Sequence, residues 1–183
     1  MRRIRALILL ATVVAATLVP PVGRASGGRY AFVGGTPRQQ TEVTRALDAS
    51  SFDWSRVPAQ VTIHIGHVAT SYAAPGNIWL DADLLNAGNL AWGVVQHEYA
   101  HQVDFFLLTA AARTLLLQDL GAKTWCPDSA VRRDLLGCER FASALSWSYW
   151  PSADNVMRPA APRTFSPARF RNVLNMVLTR GER

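Results

Sequence analysis

Lysine is almost absent from this chain: Lys123 is the only one, against eighteen arginines, and no dense basic run occurs anywhere. The formal charge of +6 therefore has no cluster behind it, and Arg2, Arg3, Arg5 and Arg24 carry four of those six charges in a segment read below as a leader. About +2 remains without them, too little and too scattered for a nucleic-acid footprint. No apolar run reaches the roughly 18 to 20 residues of a spanning helix; the stretch from Ala6 to Val19 is stopped by Pro20 and Pro21. No internal repeat is visible, which excludes a repeat architecture. Cysteine is limited to Cys126 and Cys138.

Residues 1–25, "MRRIRALILLATVVAATLVPPVGRA", join a basic start to an apolar run and a small-residue end, the build of a secretory signal peptide. Cleavage is expected near Ala25, with Gly23 at the small upstream position, and no cysteine follows the apolar run to carry a lipid. The remainder, 26–183, is expected outside the cell as a single domain with no stable membrane anchor, by default a monomer. In an oxidising compartment the cysteine pair reads as a disulfide worth about 3 kcal/mol by loop-closure entropy.

The order of elements reads α+β: a small mixed or antiparallel sheet packed on several helices. Thr36-Pro37-Arg38-Gln39 opens a helix to about Leu47, with a cap, proline at the first turn and Gln three after the cap. "VTIHIGH" alternates Val61, Ile63 and Ile65 against Thr62, His64 and Gly66, the period of a half-buried strand. A turn at Pro75-Gly76-Asn77 leads into a second strand, "IWL". Asn89 is a candidate cap for a helix from Leu90 to about Leu108. "TAAARTLLLQDLG" forms another, stopped by Gly121, and "CERFASALSWSYW" a further one before Pro151. Residues 151–167 hold four prolines and no periodicity, a connection that either crosses a functional site or wraps the surface. Ser166-Pro167 starts a last helix with an apolar stripe of Phe170, Val173, Leu174, Val177 and Leu178. The six tryptophans are scattered and read as core.

Histidine and glutamate are scarce, four of each, yet "HEYAH" sets His97 and His101 around Glu98. Random ordering of this composition produces that spacing roughly two times in a thousand. On a helix the two histidines stand one turn apart, about 6 Å along the axis and 40° around it, so their imidazoles can converge on one ion. Glu98 projects beside them, suited to take a proton from water activated by the metal. Two imidazoles and one carboxylate suit a single Zn²⁺ with a fourth position left open. A merely polar helix face is the bland alternative; Val94, Val95, Tyr99, Val103, Phe105 and Phe106 argue for a packed helix whose polar groups need partners.

The third ligand has two main candidates. Glu139 lies 38 positions after His101, and Glu42 and Glu182 sit on the first helix and at the tail. Ala142 and Ser143, a turn later, allow close helix approach, and Cys138 pins the start of the same helix. Asp104 is the rival, though three turns of one straight helix rarely reach one ion, and a supporting contact to a histidine is easier to build. His64 and His67 are lesser candidates.

"HEYAH" followed by a distant Glu in "ERFAS" resembles the gluzincin branch of the HExxH zinc metallopeptidases, over roughly residues 60–150. The resemblance implies a zincin-like fold, His97, His101 and Glu139 as zinc ligands, Glu98 as general base, and "NIWL" as the edge strand that pairs with an extended substrate. Two departures stand out: Ser143 occupies about the place where larger members carry an aspartate, and no histidine follows His101 to stabilise an oxyanion. Tyr149 is the candidate donor in its place, although ten residues after Glu139 is about 80° off that ligand's face; Tyr72 is a second. The expectation is a secreted zinc peptidase acting on a peptide or protein; the alternative is a secreted zinc-binding interaction protein with an inactive site of the same type.

Overall fold

The computed structural model describes residues 22–25, 28–126, 130–159 and 165–181. Most of the expected leader lies outside the described residues, as does the later part of the proline-rich connection. Five strands form one mixed sheet in the order β1-β2-β3-β5-β4: β1 Val22–Ala25, β2 Gly28–Gly34, β3 Val61–Gly66, β4 Tyr72–Ala74 and β5 Asn77–Asp81. β2, β3 and β5 run parallel, with β1 and β4 antiparallel at the two edges. Six α-helices are found among the described residues: α1 Pro37–Ala49, α2 Ala82–Leu85, α3 Trp92–Leu107, α4 Ala110–Leu120, α5 Gly137–Tyr149 and α6 Pro167–Gly181. The architecture is α+β, and no described helix is long and apolar enough to cross a membrane. β1 coincides with the last four residues of the expected leader, so cleavage after Ala25 would leave β2 as that edge of the sheet.

Local signals account for most boundaries. The Thr36 hydroxyl accepts from Gln39 N, and the Gln39 side chain accepts in return from Thr36 N, completing the capping box of α1. Thr109 caps α4 by accepting from Ala112 N, which breaks what would otherwise be one long apolar helix after α3. Asn89 does not cap α3: a 3₁₀ turn, Gly88–Ala91, precedes the helix, and the Asn89 amide donates instead to Asp154 Oδ2 at 2.8 Å.

The sheet buries one face. Tyr30, Phe32, Val61, Ile63, Ile65, Ile78 and Leu80 point into the core beneath the helices. The alternate positions point out, where His64, Trp79 and Tyr72 form a stacked row with ring centroids 4.9 and 4.6 Å apart. α3 lies on the buried face, its Tyr99 ring against Tyr30 and Trp54. α5 packs on α3 more extensively than any other helix does, with Ala142 fully buried and the Ser146 hydroxyl donating to Gly93 O at 3.0 Å. The Cys126–Cys138 disulfide ties the segment before α5 to the helix start. α6 closes the other side of α5 with Phe170, Leu174, Val177 and Leu178.

"NIWL" is not the edge strand. Gly76, at φ 74°, allows the chain to turn tightly so that Tyr72–Ala74 folds back onto Asn77–Asp81, and β4 takes the edge. One side chain pins this hairpin to the motif helix. Gln102, fully buried, accepts from Gly76 N at 2.8 Å and donates to Ala74 O and Asn77 O at 3.0 and 3.2 Å. Gln102→Ala strands all three backbone groups and is expected to lower stability by about 2 kcal/mol, measured as a shift of the urea midpoint at constant slope.

Candidate metal centre

α3 is buried nearly all round: His97, Glu98 and His101 are each 5 % exposed or less. Ligand-type atoms of these three lie within 4.8 Å of one another, a group that can hold a metal ion. Glu139 reaches the same place from the first turn of α5, its Oε2 3.2 Å from His97 Nε2 and 3.9 Å from His101 Nε2. Two helices therefore bring two imidazoles and two carboxylates together, and His97, Glu98 and Glu139 of this group line one cleft of about 720 Å³.

Three of the four groups are held by a specific neighbour. Ser143, one turn after Glu139, sets its hydroxyl 3.1 Å from His97 Nδ1. A hydroxyl can donate or accept, so it steadies the ring in either tautomer. Arg133 Nε donates to Glu139 Oε1 at 2.7 Å, leaving Oε2 turned toward the imidazoles. Phe105 stacks on His101 from one turn along, 6.1 Å between centroids.

Two atoms of the cluster, Glu98 Oε2 and His101 Nε2, are buried without a hydrogen-bond partner. Burying such groups unsatisfied costs about 1–3 kcal/mol each, so their persistence side by side calls for a ligand. A cation fits this donor set. Gln96 Oε1 and Tyr99 Oη on α3 also lack partners, but their side chains engage α1 and the sheet instead. Burial, reinforced by the charge of His97, holds the His101 pKa down at about 3, so the ring is neutral and its nitrogen lone pair free to ligate. Burial raises the Glu98 pKa, with His97 and Arg133 opposing. For Glu139 burial acts upward too, but it is outweighed by the His97 hydrogen bond, the charge of His101 and the Arg133 hydrogen bond, and the pKa falls to about 2.

The other candidates go elsewhere. Asp104 accepts from Arg113 Nε at 2.8 Å and from Trp125 Nε1 at 3.0 Å, bracing α3 against α4 and the segment before α5. His64 is on the outer face of the sheet, bonded to Asn77 Oδ1 at 3.0 Å. His67 meets Asp81 and Asp83 in a second group with ligand-type atoms within 4.8 Å, but the His67 and Asp83 side chains are 82 % and 71 % exposed. Tyr149 turns into the core, its ring 5.1 Å from Phe52 and its hydroxyl without a partner; it does not line the cleft. Its offset around α5 is the physical reason. Tyr72 is stacked on Trp79 in the outer row.

Arg133 carries no motif. The signal that points to it is the disulfide: Cys126 and Cys138 close a segment that runs directly into Glu139, and Arg133 within it is held on that carboxylate. The connection after α5 also reaches the site, with Met157, Arg158 and Pro159 on the cleft wall.

Ser143→Ala is expected to weaken divalent-metal binding about tenfold with the fold intact, read by competition with a chromophoric chelator. Asp104→Asn is expected to lower stability by about 3 kcal/mol while leaving the stoichiometry of divalent-metal binding unchanged, read by denaturation beside metal analysis. Comparison with family models, with curated proteins and with solved structures finds no match, and the functional reading rests on the geometry of this site.

Proposed function

We propose that this chain is an exported zinc-dependent metallopeptidase of the zincin type. The observation that carries the reading is the convergence of His97 Nε2, His101 Nε2 and Glu139 Oε2 beside the buried, half-unsatisfied carboxylate of Glu98. His97, His101 and Glu139 would hold the ion, and Zn²⁺, when bound, supplies a Lewis acid that polarises a carbonyl and acidifies water.

Glu98 is the general base. It faces the cleft with one oxygen free, and burial favours its protonated form, so it can take a proton from the attacking water and return it to the departing amine. Arg133 keeps Glu139 ionised and oriented. Ala69, Thr70 and Ser71 line the cleft on the approach to β4, whose outer edge offers backbone groups to an extended peptide. The disulfide fits an oxidising location.

One observation favours a second reading, a binding protein that keeps the site as a scaffold: among the described residues no tyrosine or histidine other than His97 lines the cleft to stabilise an oxyanion. Glu98→Gln separates the two. With zinc loaded, the wild-type chain is expected to cut members of a peptide library, and the variant to lose at least about a hundredfold in rate while still binding zinc. Mass spectrometry of the digests reads the result. Silence from the wild type with zinc bound would leave the scaffold.

A further inference from the structure

We propose that the cleft selects peptides carrying a carboxylate about three or four residues from the bond that is cut, and that Arg158 reads it. This rests on the peptidase reading above and names its substrate class.

Three arginines line the cleft, and two are already engaged. Arg140 donates to Leu120 O, Gly121 O and Asp134 O. Arg133 is bonded to Glu139. Arg158 has no acceptor among the described residues; its one partner is the Trp147 ring, 5.8 Å from guanidinium carbon to centroid. An aromatic face supports a guanidinium while leaving its edge N–H groups free, the arrangement that takes a carboxylate through two parallel hydrogen bonds.

The residue is held in place rather than carried on a loose loop. Asn155, three residues earlier in the same segment and 4 % exposed, donates to Ser146 O and Trp150 O and accepts from Met157 N. Its Oδ1 fills the space over Gly93, where a Cβ would come within 2.6 Å. The segment is thus clamped to both α3 and α5 immediately before Arg158.

Spacing follows from the helix. Glu139, Ser143 and Trp147 form one stripe along α5, and eight residues of helix span about 12 Å. Three to four residues of extended peptide cover that distance. The acids on the cleft wall do not cancel the arginine: Asp134 is gripped by Arg132 at 3.0 and 2.8 Å, and Asp81 caps α2 through Asp83 N at the other side.

The test uses the full zinc-loaded chain and a library with Asp, Glu, Lys and neutral residues at every position. Asp and Glu are expected to be enriched about fivefold three or four residues from the cut, weakening with salt; Arg158→Glu is expected to reverse the preference toward Lys. Peptides ending at that position, with a free or an amidated terminus, tell a side-chain carboxylate from a terminal one. Cleavage without acidic enrichment, or the same enrichment in Arg158→Glu, overturns the inference and leaves the peptidase reading standing. No cleavage at all sinks the peptidase reading, and calorimetry then decides this one. A Glu-rich peptide should bind the zinc-loaded Glu98→Gln chain more tightly than a Lys-rich one, with the order reversed by Arg158→Glu; equal affinities overturn it.

Discussion

The structure is organised around the burial of one helix on all sides. α3 has neighbours in α1, α5 and the β4–β5 hairpin, and every polar side chain between Gln96 and Asp104 is inside. Helices in that position are usually apolar, because each buried polar group must find a partner or cost stability. Here the partners come from every direction. Gln96 donates to Ala46 O of α1, Gln102 grips the hairpin, Asp104 takes Arg113 and Trp125, and His97 meets Ser143 and Glu139. The bonds that make the burial tolerable also fix the rotation of the helix. That rotation aims Glu98 at the cleft and sets His101 beside it, each with a lone pair uncommitted.

Two carboxylates share this floor with opposite environments. Glu139 has a guanidinium and an imidazole on it, which favours the anion; Glu98 has mainly desolvation, which favours the acid. Pairs pushed apart in this way mark a division of labour between a group that holds charge and one that exchanges protons. Neither carboxylate could serve in the other's place, since Glu98 follows His97 directly and has no arginine bonded to it.

Much of this was legible in the chain. The capping box at Thr36, the alternation from Val61 to Ile65, the stop at Gly121 and the stripe from Phe170 to Leu178 are local signals, and the elements formed where those signals are. The spacing of His97, Glu98 and His101 required only helical geometry. What could not be read depended on tertiary pairing. A Pro-Gly turn says that two strands meet but not which becomes the edge, and the family resemblance puts "NIWL" in the place that Tyr72–Ala74 holds. Asn89 is a good cap by type, yet its amide is drawn to Asp154, 65 residues away. Arg133 and Asn155 lie in segments without periodicity, and their importance arises from a disulfide and from a space over Gly93.

The two walls of the cleft are anchored separately, the hairpin by Gln102 to α3, and the 155–159 segment by Asn155 to α5 and over Gly93 of α3. Ala142, Gly93 and Ser146 let those helices approach closely, so the spacing between the two anchors is a gauge set by the helix pair. A bulky guest cannot widen it by local rearrangement; it would have to part the two helices and scatter the ligand set. Molecules that are too wide are therefore turned away by the same interface that builds the centre.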